Sequence, residues 1–221
     1  MDIEQARFNM IEQQIRPWDV LDVDVLKVIE DTPRELYVPT QHQKLAFSDL
    51  EIPLNHDQFM MSPKLEARML QALQLQADNN VLEIGTGTGF VTACLAKLSN
   101  HVDTIELYED LSAHAQTTLH QQKITNICFK TGDILDKSFF SSHINKKYDV
   151  IAITASMPIY NDMFEDFLTE NGRMFVVTDN APVMHAKIIT RIDNHGFTYT
   201  NLFETNLQPL IGLQAAQVFE L

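Results

Sequence analysis

The chain is short of the residues that mark several protein classes, and each shortage excludes something. Only two cysteines are present; Cys94 lies on an apolar helix face and Cys128 in a strand, so both are read as unpaired, buried small hydrophobes of a reducing compartment. No apolar run reaches membrane-spanning length, and the opening Met1-Asp2-Ile3-Glu4-Gln5 has acids where a secretory leader would be apolar; a cytoplasmic location is expected. Bases are scarce: 16 Lys and Arg against 30 Asp and Glu give a formal charge of −14, with no basic cluster, which disfavours nucleic acid as a partner. The eight histidines show no metal-ligand spacing, so no metal is expected. Repeats, low-complexity tracts and flexible linkers are also missing, and 221 residues at 45% hydrophobic content suit one α/β domain with an appendage.

What is present is a buried strand that breaks into a glycine-rich loop and then a helix, Val81-Leu82-Glu83-Ile84-Gly85-Thr86-Gly87-Thr88-Gly89-Phe90. Glycines at alternate positions let the backbone turn sharply and bring its N–H groups against a ligand. A dinucleotide fingerprint would need glycine where Phe90 stands, and a phosphate-gripping loop would end in Gly-Lys-Ser/Thr; neither occurs. Further acids follow at successive strand ends. His101 to Glu106 reads as the next strand, with Leu107 after it, and Glu106 is placed to accept two hydrogen bonds from a ribose diol. Asn126 to Lys130 reads as a third, followed by Thr131-Gly132-Asp133, where Asp133 is placed to accept from an adenine amino group. An acid followed by G-x-G-x-G resembles the first motif of class I S-adenosylmethionine-dependent methyltransferases. That resemblance implies S-adenosylmethionine as cofactor, held by Gly85, Thr86, Gly87, Gly89, Glu106, Leu107, Gly132 and Asp133, with Glu83 on the methionine part.

The periodicity predicts helices over 2–15, 23–30 and 65–75, with a loop-rich stretch broken by Pro39, Pro53 and Pro63. Strands near 80–84, 101–106, 126–130, 148–154 and 173–178 alternate with helices near 89–98, 109–121, 159–168 and 182–194, which implies a parallel sheet. The tail from Thr198 reads as two strands about Gln208 to Gly212, an antiparallel hairpin closing the sheet. The expected fold is α/β: a three-layer Rossmann-like class I methyltransferase sheet in a single domain over 1–221, with a helical and substrate-loop region at 1–76 and a cofactor-binding sheet at 77–221.

The front third narrows the resemblance. Arg34-Glu35-Leu36-Tyr37-Val38-Pro39, Leu45-Ala46-Phe47-Ser48-Asp49 and Ile52-Pro53-Leu54 resemble the N-terminal region of protein-L-isoaspartate O-methyltransferases. Asp149 to Ala155 with Pro158, and Glu170-Asn171-Gly172, extend the likeness over nearly the whole chain. It implies methylation of isoaspartyl carboxylates in damaged proteins, with Thr154 at the methyl-transfer mouth or simply a strand threonine. One loop departs from the family. A Gly-Gln-Thr-Ile-Ser-x-Pro signature, whose hydroxyls face the transferring methyl and the substrate carboxylate, is here His56-Asp57-Gln58-Phe59-Met60-Met61-Ser62-Pro63. Ser62 comes one place late, and one residue in extended chain turns a side chain to the opposite face. Ser62 is therefore either a displaced catalytic hydroxyl or the N-cap of the helix that Pro63 opens. His56, Gln58, Phe59 and Met61 form the candidate acceptor wall. The open alternatives are an isoaspartyl protein or peptide as acceptor, a small apolar acceptor suited to Phe59 and Met61, and a non-catalytic cofactor-binding protein.

Overall fold

The structure, a computed structural model, describes residues 2–193 and 196–213. Helix α1 (Ile3–Met10) is capped by Asp2 and runs through a wider turn at 11–15 into a 3-10 turn at Arg16–Trp18, where Pro17 and the left-handed Asp19 end it. Asp22 caps α2 (Val23–Glu30), accepting from the amides of Asp24 and Val25, and Val25, Leu26, Val28 and Ile29 are its buried stripe. The proline-punctuated stretch that follows forms 3-10 turns and a two-strand ribbon, β1 (Ile52–Pro53) with β2 (Phe59–Met60). Pro63 then opens α3 (Pro63–Leu73).

The remaining elements are β3 (Asn80–Ile84), α4 (Phe90–Leu98), β4 (His101–Glu106), α5 (Glu109–Gln121), β5 (Ile127–Thr131), α6 (Lys137–His143), β6 (Tyr148–Met157), β7 (Leu168–Thr178), β8 (Met184–Arg191) and β9 (Phe197–Thr205). One seven-stranded sheet has the order β5-β4-β3-β6-β7-β8-β9, parallel from β5 to β7 and antiparallel at β8 and β9. Val81, Val102, Val150, Ala152, Phe175 and Val177 pack on one face with the N-terminal helices, α4 and α5. Leu82, Ile84, Ile105, Ile151, Ile153 and Val176 pack on the other with Phe139, Phe140 and Phe164. Burial on both faces explains why the central strands read as continuous apolar runs. The connections leave β3 and β6 in opposite directions, so a crevice opens at the carboxyl ends of the central strands.

The fold class is as expected, with local corrections. The segment expected as a helix over 182–194 is β8: its burial alternates at Met184, Ala186, Ile189 and Arg191, and β7 and β9 both pair with it. The β-branched run Ile188-Ile189-Thr190 and two waiting strand edges override an apparent 3.6 period. Residues expected as a helix over 159–168 form a 3-10 turn, Asp162–Phe167, started by the Asn161 side chain. Helix α6, capped by Asp136, was not anticipated. The expected first tail strand, from Thr198, is β9, which pairs antiparallel with β8; the expected second tail strand lies outside the described residues. Cys94 is buried, but Cys128 is exposed, because β5 is an edge strand.

Candidate active site

The glycine loop joins β3 to α4 in a conformation that few residues adopt. Gly85, Gly87 and Gly89 have φ of +94°, +53° and +85°. A Cβ at Gly85 would overlap the Thr154 hydroxyl, which lies in the second half of β6 and donates to the carbonyls of Ile84 (2.9 Å) and Gly85 (2.7 Å). At Gly87 a Cβ would meet only Leu54, at 4.0 Å, so the space above it is open to a ligand. Gly89 packs against Ala115 and Leu119 of α5 and does not line the cleft.

That cleft holds about 680 Å³ of free space, part of it open solvent. Gly85 and Gly87, Glu106 and Leu107, Gly132 and Asp133, and Thr154 line it together, from four different strand ends. Glu106, 6% exposed, accepts from the amides of Gly87 (2.8 Å) and Tyr108 (3.1 Å), which fixes its carboxylate against the loop. Asp133 accepts from the Leu135 amide at 2.8 Å. The apolar walls are Ile105, Leu111 and Ile134, with Tyr108 beside them. Sequence reading missed the roof. Pro209, Leu210 and Ile211 line the cleft because the tail docks on β6, the Ser156 amide donating to Gln208 and the Leu210 amide to Ser156.

Beside Phe59 a second, smaller pocket, with about 320 Å³ of free space that is partly open solvent, shares Phe59, Gly85, Gly87 and Thr154 with the cleft and adds Met60, Met61, Glu66, Thr86, Thr88, Phe90 and Val91. Of the residues read as the acceptor wall, Gln58 and Phe59 line the cleft, and Phe59 and Met61 the second pocket. Beneath them lies an ion pair absent from that reading. Arg34 and Glu66, each 1% exposed, meet through two hydrogen bonds of 3.1 and 3.2 Å. The same guanidinium donates to the Met61 carbonyl (2.7 Å) and the Ala46 carbonyl (3.3 Å) and sits 5.2 Å from the Phe90 ring centre. Burial raises the Glu66 carboxyl, and Arg34 opposes the rise.

Three expected site residues point elsewhere. Ser62 occupies the N-cap of α3 without a side-chain cap bond and lines a different groove, with Trp18, Lys64, Arg68 and Phe203. The one-residue shift has turned it away from the cleft, and Met61 stands in its place. His56 stacks on Tyr108 with centroids 4.0 Å apart and bonds Asp110 at 2.7 Å; it clamps the loop to the start of α5 at the rim. Glu83 is fully buried beneath the glycine loop, where one oxygen accepts from Thr92 and Thr104, both at 2.6 Å, and the other has no partner among the described residues. Its alternation in β3 places it on the α4 face, one residue off the Ile84 and Gly85 positions that reach the cleft.

Burial pushes the Glu83 carboxyl up to about 8, against the Thr104 and Thr92 hydroxyls. An unfolded glutamate titrates near about 4.3, so the folded state binds the extra proton and stability falls as pH rises from there through about 8. Glu83→Gln removes this titration. Denaturant unfolding at pH 5, 7 and 9 should show the stability of wild type relative to the variant dropping with pH; a constant difference would refute the buried, proton-holding carboxyl.

The profile of the protein-L-isoaspartate(D-aspartate) O-methyltransferase family matches residues 5–215. A protein-L-isoaspartate O-methyltransferase of Koribacter versatilis is 34% identical across 94% of this chain and 91% of its own. The chain belongs to this family. A relative of the same name from Maricaulis maris is 30% identical over 96% of this chain and 97% of its own. Among solved structures, the Plasmodium falciparum family member in complex with S-adenosyl-L-homocysteine superposes with a TM-score of 0.78 at 19% identity, covering 95% of this chain and 98% of that one. That likeness establishes the methyltransferase fold.

Proposed function

We propose that this protein transfers the methyl group of S-adenosylmethionine to the isoaspartyl carboxylate of damaged polypeptides, in the cytoplasm. The observation that carries the reading is that the cleft and the second pocket share four lining residues, Phe59, Gly85, Gly87 and Thr154, so a cofactor in one would lie next to an acceptor in the other. Family membership supports the reaction. Among the described residues no helix is long and apolar enough to cross a membrane, and both cysteines are free thiols.

The cleft suits the cofactor chemically. Open space over Gly87 admits the chain of the ligand, and the Glu106 carboxylate, held by two amides, keeps acceptor capacity for a vicinal diol. Asp133 offers an acceptor beside the apolar walls that would flank a purine. S-adenosylmethionine, when bound, supplies a sulfonium methyl: a bond to a carboxylate oxygen forms as the methyl–sulfur bond breaks, and that electron pair leaves on the neutral sulfur. A carboxylate with a pKa near about 4 is already ionised at neutral pH, so the protein needs no general base. Its task is positioning, with Thr154 fixing the loop and Phe59 covering the junction.

The experiment is calorimetric titration with S-adenosylhomocysteine, then methyl transfer to matched isoaspartyl and aspartyl peptides. Binding with transfer to the isoaspartyl peptide alone is expected. Equal labelling of both peptides, or of neither, would overturn the reading.

A further inference from the structure

A further cavity lies between the 3-10 turn Asp162–Phe167 and β9, with about 770 Å³ of free space, part of it open solvent. Its walls are Tyr160 and Tyr199, its polar side is Asp162 and Glu165, and its apolar rim is Ile159 and Leu213. It shares no lining residue with the cleft or the second pocket. No lysine, arginine or histidine lines it, and among the described residues neither acid has a base as partner.

Glu165 sets the chemistry. It is 8% exposed, and both tyrosine hydroxyls donate to one of its oxygens, Oε1, from 2.5 Å for Tyr160 and 2.8 Å for Tyr199. The other oxygen, Oε2, has no partner among the described residues, yet it is not sealed off and keeps accessible surface in the cavity. A carboxylate so far removed from water, with half of its acceptor capacity unused, gains from a cationic donor. The tyrosines favour the same sign of charge. Their rings stand perpendicular with centroids 6.3 Å apart, and ring faces attract cations.

The kind of cation follows from what the cavity lacks. A guanidinium fork needs both oxygens of a carboxylate, and Oε1 is already taken by two hydroxyls. A metal ion needs more ligands, and no group of three His, Cys, Asp or Glu side chains able to hold one comes together among the described residues. A primary ammonium is a compact charge with rotatable donors, so one free oxygen beside aromatic rings suits it, and the apolar rim suits its methylene stem. The formal charge of −14 on the chain adds long-range attraction.

We propose that this cavity binds a primary alkylammonium group, which donates to Glu165 Oε2 beside the rings of Tyr160 and Tyr199, with the exposed Asp162 adding negative charge. Two sources carry that group, the lysine side chain of a polypeptide and a free aliphatic diamine. The site lies outside both cavities of the methyltransferase reading and does not depend on it.

Calorimetric titration of the full chain with n-butylammonium chloride at constant ionic strength is expected to show saturable binding, with the neutral analogue n-butanol roughly tenfold weaker. Glu165→Gln keeps an acceptor for the tyrosine hydroxyls but replaces the free oxygen by an amide donor, and should weaken n-butylammonium by roughly tenfold or more. Tyr199→Leu alters an exposed position, so it leaves the urea midpoint unchanged and weakens binding about two- to fivefold. Tighter binding of Nα-acetyl-lysine amide than of diaminobutane identifies the polypeptide as the source, and the reverse order identifies the diamine. The proposal is overturned if n-butylammonium binds no better than n-butanol, or if neither Glu165→Gln nor Tyr199→Leu weakens it.

Discussion

Gly85→Ala is expected to lower S-adenosylhomocysteine affinity by roughly two to three decades. At φ +94° an alanine costs about 1–2 kcal/mol of backbone strain. Its Cβ would also overlap the Thr154 hydroxyl and displace the bonds that tie β6 to the carbonyls of Ile84 and Gly85, each worth about 0.5–1.5 kcal/mol. Together these amount to about 2–5 kcal/mol at the floor of both cavities, and about 1.4 kcal/mol is tenfold in a binding constant. Calorimetric titration reads the change. Thr154→Ala in the same chain removes the overlapping atom and should recover part of the affinity. Binding by Gly85→Ala within about threefold of wild type would show that the loop tolerates a side chain and that its closeness to β6 is incidental.

Arg34→Met should be the most destabilising single change near the site, costing about 3–5 kcal/mol. The substitution strands Glu66, which is 1% exposed, and frees the carbonyls of Met61 and Ala46 that Arg34 holds. The loss has a pH signature. Without Arg34, burial alone raises the Glu66 carboxyl further, so the variant is least impaired where Glu66 is protonated and loses stability as pH rises. Urea unfolding at pH 6 and pH 9 checks this. The double variant Arg34→Met, Glu66→Leu should regain most of the stability and abolish the pH dependence, because a well-packed apolar pair replaces a buried ion pair at little cost. Should the double variant be no more stable than the single one, the cost would lie in the freed carbonyls rather than in the unpaired acid.

The element pattern was legible wherever one physical signal dominated. Apolar runs identified β3 and β6 because a parallel strand is buried on both faces, and Asp22 and Pro63 marked helix starts because their chemistry acts locally. β8 was misread because its pairing partners, β7 and β9, supply the information that its own periodicity lacks. Site residues divided in the same way. Gly85, Glu106 and Asp133 sit at strand ends whose position follows from topology, and they do meet around one cleft. Ser62 and His56 belong to a loop whose path is set by contacts across the fold, including the Arg34 hold on the Met61 carbonyl, and neither reaches the cleft.

The sequence by itself determined the five parallel strands, the glycine loop, the acids after it and the loss of two hydroxyls at Phe59 and Met61, since each is written in local spacing or residue type. The tertiary structure alone decided which way the side chains of that loop face. It buried Glu83 beneath the loop, paired Arg34 with Glu66 across 32 residues and brought the tail over the cleft. Those outcomes depend on packing between segments far apart in the chain, where the cost of an unpaired buried group, rather than any local propensity, selects the arrangement.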